Sequence, residues 1–227
     1  MKIALFVETY VTNINGVVTH VKILKEGLES LGHTVLLVTA DPSANRHYIN
    51  NNILHCPAKA FKRFYNYGLA NPISRKRIQL IKQFNPDIIH IHTEFGMGLT
   101  GIKSAKKLNK PLVYTLHTMY DEYLYYIAPK PLLKLVKNIS HRYAKYIASH
   151  AQALTGPSKK CIEYFRDIGV SKDVTVIPNP AELNFFVPEN LSEERRKWFR
   201  KKYSIPSDMM LACFVGRIGK EKSIDVL

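Results

Sequence analysis

Several short polar clusters follow directly on apolar runs, and each carries groups able to hold or move charge. After Lys2–Val7 comes a loop from Glu8 that ends in Asn15-Gly16 where an amphipathic stretch begins. Free backbone amides and the positive end of a helix dipole suit a phosphate there, and glycine lets it approach the backbone closely. An ordinary helix-capping turn reads the same way. After Asp87–His92 comes Thr93-Glu94-Phe95-Gly96. His90 and His92 share one face of an extended strand, but a metal needs a third and fourth ligand at suitable spacing. None follows, so no metal centre is expected. Glu94, just past the strand, is placed to accept a hydrogen bond from an acceptor hydroxyl, or equally to be a satisfied structural carboxylate.

The run Leu112–His117 ends in a histidine and leads into Tyr120 and Asp121. A strand-end histidine points toward a ligand crevice in an open parallel sheet, whereas Asp121 equally suits the cap of a following helix. Further on, Phe214-Val-Gly216-Arg217 runs on to Lys222. Two cations at a strand-to-helix turn suit a diphosphate, Arg217 through its fork and Lys222 as a point charge. Exposed charges without a role are the alternative. No G-x-G-x-x-G is present, which disfavours a nicotinamide or flavin cofactor.

The elements that must position these groups alternate. Strands are expected at Lys2–Val7, Thr34–Thr39, Asn52–Cys56, Asp87–His92, Leu112–His117, Ala153–Thr155 and Val174–Ile177, as runs rich in Val, Ile and Leu. Helices are expected at Val17–Leu31, Pro72–Phe84, Gly98–Leu108, Pro131–His150, Ser158–Ile168 and Ser192–Tyr203. Such alternation implies an α/β fold, a Rossmann-like doubly wound parallel sheet. Pro178, Pro180 and Pro188 mark a connection. The reading is a domain over 1–180, a connecting segment and helix over 181–208, and the start of a second domain over 209–227. A strand at Met210–Gly216 would open that domain. A lone strand cannot bury itself, so the chain reads as lacking most of that domain and as inactive alone.

Composition narrows the class. Apolar residues make up 46% and charged residues 22% of 227, which suffices for a core. Cys56, Cys161 and Cys213 lack metal or disulfide spacing and read as buried thiols of a reducing compartment. No run approaches the ~18 residues that span a bilayer, and the first apolar run is too short for a signal peptide. A cytoplasmic protein is expected. The formal charge of +15 attracts polyanions. No RNA-binding signature or recognition-helix arrangement accompanies it, so nucleic acid is not the expected partner.

Taken in order, Asn15-Gly16-Val17-Val18, Leu31-Gly32-His33-Thr-Val35, Pro86 through His92, the His117 strand end, Val176-Ile-Pro-Asn179 and Val215-Gly-Arg217 through Lys222 resemble the retaining glycosyltransferases of the GT-B architecture. That family includes phosphatidylinositol mannosyltransferases, sucrose-phosphate synthases and diacylglycerol glucosyltransferases. His117-Thr-Met-Tyr120-Asp121-Glu-Tyr123 with Thr93-Glu94-Phe95 looks most like the last branch. The resemblance implies that Gly16, Arg217 and Lys222 bind the diphosphate of a sugar nucleotide, UDP-glucose, without a metal or other cofactor. It also implies that His117 sits beside the transferred sugar and that Glu94, Tyr120 and Asp121 face a diacylglycerol-type acceptor. Two departures stand out. Pro180 replaces the family's glycine after Ile177-Pro-Asn179, and the family's paired glutamates lie beyond Leu227.

Pro131–His150 interleaves apolar residues with Lys134, Lys137, Arg142 and Lys145, and Lys59, Lys62, Arg63 and Arg75-Lys76-Arg77 add further cations. A cationic amphipathic helix suits an anionic membrane surface and predicts a peripheral protein on the inner face of the membrane. The alternative is a helix that packs its whole apolar stripe on the sheet. The corresponding functional alternatives are a glycosyltransferase with a soluble or polysaccharide acceptor, and a basic nucleic-acid-binding or non-catalytic membrane-surface module.

Overall fold

A computed structural model describes residues 1–10, 15–61, 67–121, 124, 128–181, 192–216, 218 and 223–226. Arg217, Lys222, Lys62 and Arg63 fall outside these residues. The chain divides into two compact units, Met1–Asn179 and Pro180–Leu227.

In the first unit the strands are β1 (Lys2–Val7), β2 (Thr34–Asp41), β3 (Tyr48–Asn50), β4 (Ile53–Phe61), β5 (Tyr67–Ala70), β6 (Ile88–Ile91), β7 (Leu112–Thr115), β8 (Ala153–Gly156) and β9 (Val174–Val176). The helices are α1 (Gly16–Ser30), α2 (Arg75–Phe84), α3 (Gly96–Leu108), α4 (Leu133–His150) and α5 (Lys159–Asp167). The strand order is β3-β4-β2-β1-β6-β7-β8-β9, with β5 against β4. Among the described strands, β3 and β5 alone run antiparallel to their neighbour β4.

Strand β1 shows why both faces are covered. Ile3, Leu5 and Val7 pack with Val35, Leu37 and the α1 residues Val21, Val17 and Leu24. Ala4 and Phe6 point the other way, into a larger core with Met97 and Ile102 of α3, Ile147 of α4 and Phe165 of α5. Period-two alternation thus gives β1 two apolar faces, and each large side chain so buried contributes about 1.5–3 kcal/mol. Helix α3 comes close to the sheet because it carries glycine at the contact. A Cβ on Gly101 would lie 2.3 Å from Cγ2 of Ile91.

The structure departs from the sequence reading at short elements. Strands β3 and β5 were not expected. β3 has three residues, too few for a periodicity signal, and Asn51 and Asn52 at φ 47° and 59° turn it back onto β4. Strand β7 ends at Thr115, so His117 lies two residues past the ladder and is not its last residue.

The second unit holds α6 (Glu193–Lys202), which is capped by Ser192 and has Glu193 and Glu194 in its first turn and Arg200, Lys201 and Lys202 in its last. This charge order follows the helix dipole. Residues 210–216 form no strand, contrary to expectation. No described segment supplies ladder partners there, and Met210 and Val215 are 93% and 91% exposed. Cys213 is exposed as well, so of the three thiols only Cys56 and Cys161 are buried.

Candidate functional site

The chain leaves β1 toward β2 and β4 on one side, then returns to place β6 on the other. The gap between the ends of β1 and β6 is therefore the topological switch point, where a doubly wound sheet opens a crevice beyond its strand ends. Described residues that follow β1, β6 and β7 border it.

Helix α1 begins at the first wall. The side chain of Asn15 accepts from Val18 N at 3.0 Å, and the first turn has no acidic residue to neutralise the dipole. Gly16 is exposed, and a Cβ built on it meets nothing within 4 Å. Its backbone angle does not demand glycine either. Packing among the described residues thus gives no reason for glycine at this position, and a helix start of this kind suits an anion.

One turn further along α1, His20 meets two strand-end histidines. Its ring lies 4.7 Å from that of His117, edge-on, and 5.6 Å from that of His92. Nδ1 of His92 and Nε2 of His117 are 3.1 Å apart. Nδ1 of His20 is 3.0 Å from Oδ1 of Asn179, an acceptor, so that nitrogen donates. His90 hydrogen-bonds to Thr115 at 2.7 Å, and Thr115 to Thr155 at 2.6 Å. Burial disfavours the imidazolium in each ring; neighbouring histidines add to this at His90, His92 and His117, whereas the Asn179 hydrogen bond partly opposes it at His20. His90 and His117 are both lowered to about 3, and His92 and His20 also titrate below their ordinary value. The cluster is neutral at physiological pH.

Sequence spacing pointed to His90, His92 and His117 but missed His20 and Asn179. His20 does fall on the apolar stripe of α1, three residues after Val17 and next to Val21. A polar ring at a core position was the available signal. The expectation of no metal centre rested on sequence spacing alone; the fold brings a third histidine, His20, beside His92 and His117 from 72 residues upstream of His92.

Glu94 is buried, with Oε1 accepting from Tyr114 OH at 2.8 Å and Oε2 from Tyr120 OH at 2.5 Å, and its backbone oxygen accepts from Tyr143 OH. Burial raises its pKa despite these donors. Asp121 contacts Nε2 of His141 at 2.6 Å and Nζ of Lys137 at 3.3 Å, both from α4. The three residues assigned to the acceptor are brought near one another; Glu94 and Tyr120 bond each other, and Asp121 bonds α4 through Oδ2 while its buried Oδ1 has no partner among the described residues. Glu94 fits its alternative reading, a carboxylate that locks β7 and α4 to the α3 entry.

A second buried carboxylate sets the same turn. Glu8 Oε2 accepts from Met97 N at 2.7 Å and Oε1 from Ala70 N at 3.2 Å. The cap residue of α3, Phe95, offers no side-chain bond, so Glu8 caps that helix from the end of β1. Arg77, grouped by sequence with the surface cations, is 1% exposed. Its Nη1 donates to Asn71 O at 2.9 Å and to Thr100 Oγ1 at 2.7 Å, and its charge acts on Glu8.

Beside this turn lies a cleft of about 630 Å³, lined among others by Pro57, Ala58, Leu69, Phe95, Leu99 and Tyr143. On α4, Ala144, Ile147 and Ala148 are buried, but Leu135 and Ile139 are 58% and 57% exposed, and Lys134, Lys137, Arg142 and Lys145 are exposed around them. The helix therefore does not pack its whole apolar stripe. No described helix is long and apolar enough to cross a membrane.

The doubly wound sheet, with the α1 start and the histidine cluster at its switch point, defines the class as an α/β domain of the open parallel-sheet type. Residues 14–185 match the model of Glycosyltransferase Family 4, and the chain belongs to that family. It is 34% identical over 232 residues to an alpha-monoglucosyldiacylglycerol synthase of Acholeplasma laidlawii, covering 99% of this chain and 57% of that protein. It is 32% identical over 230 residues to an alpha-monoglucosyldiacylglycerol synthase of Streptococcus pneumoniae, covering all of this chain and 51% of that protein. The chain thus spans about half the length of these relatives. Among solved structures, a sucrose-phosphate synthase of Thermosynechococcus elongatus aligns over 89% of this chain and 99% of that chain, with a TM-score of 0.45 and 17% identity.

Proposed function

We propose that this chain is the acceptor-side half of a retaining glucosyltransferase that moves glucose from UDP-glucose to a diacylglycerol-type lipid at an anionic membrane surface. The observation that carries the reading is the meeting of the α1 start with His117 at the switch point, through the 4.7 Å His20–His117 ring contact. Gly16 would receive the donor diphosphate against its backbone, and His117 would lie beside the sugar as a neutral hydrogen-bonding group. Arg217 and Lys222 would offset charge on the departing diphosphate, where electrostatic stabilisation matters most. Such transfer needs no metal at the diphosphate in this scheme.

The acceptor side rests on two features. The cleft at Phe95 and Tyr143 is apolar enough for a lipid chain, and α4 presents Leu135 and Ile139 amid exposed cations. Each Lys or Arg near an anionic leaflet adds about 1 kcal/mol, so a few suffice for reversible peripheral binding on the cytoplasmic face. The named activity of the two relatives, monoglucosyldiacylglycerol synthesis, agrees with this acceptor. The test has two arms. This chain should sediment with phosphatidylglycerol vesicles at low salt and not with phosphatidylcholine vesicles, and Leu135→Asp with Ile139→Asp should abolish that binding. The full-length protein should transfer labelled glucose from UDP-glucose to diacylglycerol. Absence of vesicle binding at low salt would sink the lipid acceptor, and failure to hydrolyse or transfer from any sugar nucleotide would sink the whole reading.

A further inference from the structure

The cleft beside the α3 turn has a fixed floor and an apolar rim, and its size can be compared with a hydrocarbon chain. Its floor is where α3 meets β5. Glu8 bonds both Met97 N and Ala70 N there, and a Cβ on Gly96, which lines the cleft, would run into Ala70 O. Backbone packed this closely leaves no room for the floor to deepen. Ala58, Leu99 and Tyr143 form part of the walls. The Tyr143 hydroxyl is spent elsewhere, since it donates to Glu94 O. Among the described lining residues Lys59 alone is charged, so a charged ligand would find little to offset its desolvation.

The rim is exposed and apolar. Leu69 and Phe95 line the cleft at 48% and 46% exposure, and Ile73, next after the lining Pro72, is 70% exposed. Helix α4 continues this surface. Leu132 at its cap, then Leu135, Ile139 and Tyr143, recur at three- and four-residue steps and so share one stripe. The first three are exposed and the last lines the cleft, so the stripe leads from the outer surface of α4 to the cleft wall. A methylene needs about as much room as one water, roughly 30 Å³. The cleft, at about 630 Å³, then holds about twenty such groups, enough for one acyl chain and not for two.

We infer that this cleft takes a single acyl chain of a neutral lipid, reached along the Leu132–Tyr143 stripe, and that Ala58 limits the length it accepts. The identity of the ligand rests on the lipid-acceptor reading; the number of chains and the length limit are new. Phe95 links the cleft to the acceptor residues, because its ring meets that of Tyr120 edge-on at 5.6 Å.

The test is displacement of a dansyl-tagged undecanoyl glycerol from this chain by monoacylglycerols of increasing length, delivered from cyclodextrin, with no sugar nucleotide and no vesicles. One equivalent of probe should bind. Competitor affinity should rise about two- to fourfold with each added methylene and level off near about twenty carbons. Ala58→Leu adds three carbons to the wall and should bring the levelling point down by about three carbons. Leu69→Asp, at an exposed rim position, should weaken every length about tenfold, and Leu31→Asp, exposed after α1, should change nothing. No binding, two equivalents, an affinity that keeps rising with length, or a levelling point unmoved by Ala58→Leu would each overturn the inference. Should Ala58→Leu fail to fold, Leu69→Asp decides, and unchanged affinity there overturns it. The two readings fail separately. One-chain binding in a protein that transfers no glucose would remove the acceptor reading alone, and transfer to diacylglycerol without one-chain binding would remove this inference alone.

Discussion

Glu8 joins the centre of the sheet to the turn that carries His92 and Glu94, and its protonation should be readable as stability. Burial raises its pKa from 4.5 to about 7, outweighing the donors Met97 N and Ala70 N and the charge of Arg77, while Glu94 adds to the rise. The sign follows from linkage. A carboxyl whose folded pKa is raised contributes stability that is complete below about pH 4.5 and is lost as pH climbs through about 7. At about 1.4 kcal/mol for each pH step, the full effect is about 3 kcal/mol, of which about 2 kcal/mol falls between pH 5.5 and pH 8.5. Glu8→Gln removes the titration. Its amide nitrogen cannot accept, so one of the two backbone donors loses its bond, at about 1–2 kcal/mol. The buried histidines titrate in the opposite sense and shape the raw profile, so the quantity to compare is the difference between wild type and Glu8→Gln at each pH. The variant should be less stable at pH 5.5 by about 1–2 kcal/mol and should draw level with or overtake the wild type at pH 8.5. Urea unfolding should be followed by far-ultraviolet circular dichroism, because the single tryptophan, Trp198, lies in the second unit and Glu8 in the first. A difference that stays constant across this range would show that Glu8 does not titrate there, and the account of the α3 cap would fail.

Gly16→Ala separates a structural from a binding glycine. The open space at Gly16 predicts an unchanged or slightly raised melting temperature for the chain. In the full-length protein, loss of close approach to a charged oxygen should cost about 1.5 kcal/mol and raise KM for UDP-glucose about tenfold; unchanged KM would remove Gly16 from the donor site. Gly101→Ala should behave in the opposite way. Its Cβ would meet Ile91 at 2.3 Å, and overpacking there should destabilise the fold by about 1–3 kcal/mol in urea titrations; a neutral result would mean that α3 is free to lift from the sheet.

What the sequence disclosed and what it hid follow the range of the forces involved. The long apolar runs of β1 and β2 and the three-and-four spacing of α1 are local patterns, and the structure places these elements within a residue or two of their expected ends. β3 and β5 exist only by pairing with β4, a long-range effect that three or four residues do not encode. Arg75, Lys76 and Arg77 look like one cationic patch in the sequence, yet the helical turn sends Arg77 inward to Asn71 and Thr100. The strand-end rule located His92 and His117 because the rule concerns where a parallel sheet opens. It could not name His20 or Asn179, which reach the same place from a helix and from the segment after β9.

The same comparison explains why the site is built from neutral groups in so basic a chain. The cations gather on exposed faces such as that of α4, where water solvates them at little cost. Beyond the ends of β6 and β7 the walls are β1, α1 and α3, and burial there would penalise every charge. The chain meets that penalty with histidines held neutral and with Glu94 bonded to two phenols. A charged ligand entering the crevice would therefore find its counter-charge elsewhere: at the α1 amides or, under the proposed scheme, in Arg217 and Lys222. These routes differ in what removes them. Gly16→Ala affects the first alone and Arg217→Ala the second alone, so KM for UDP-glucose in the two full-length variants apportions the binding between the backbone and the cations, and a double variant no weaker than either single one would refute the division.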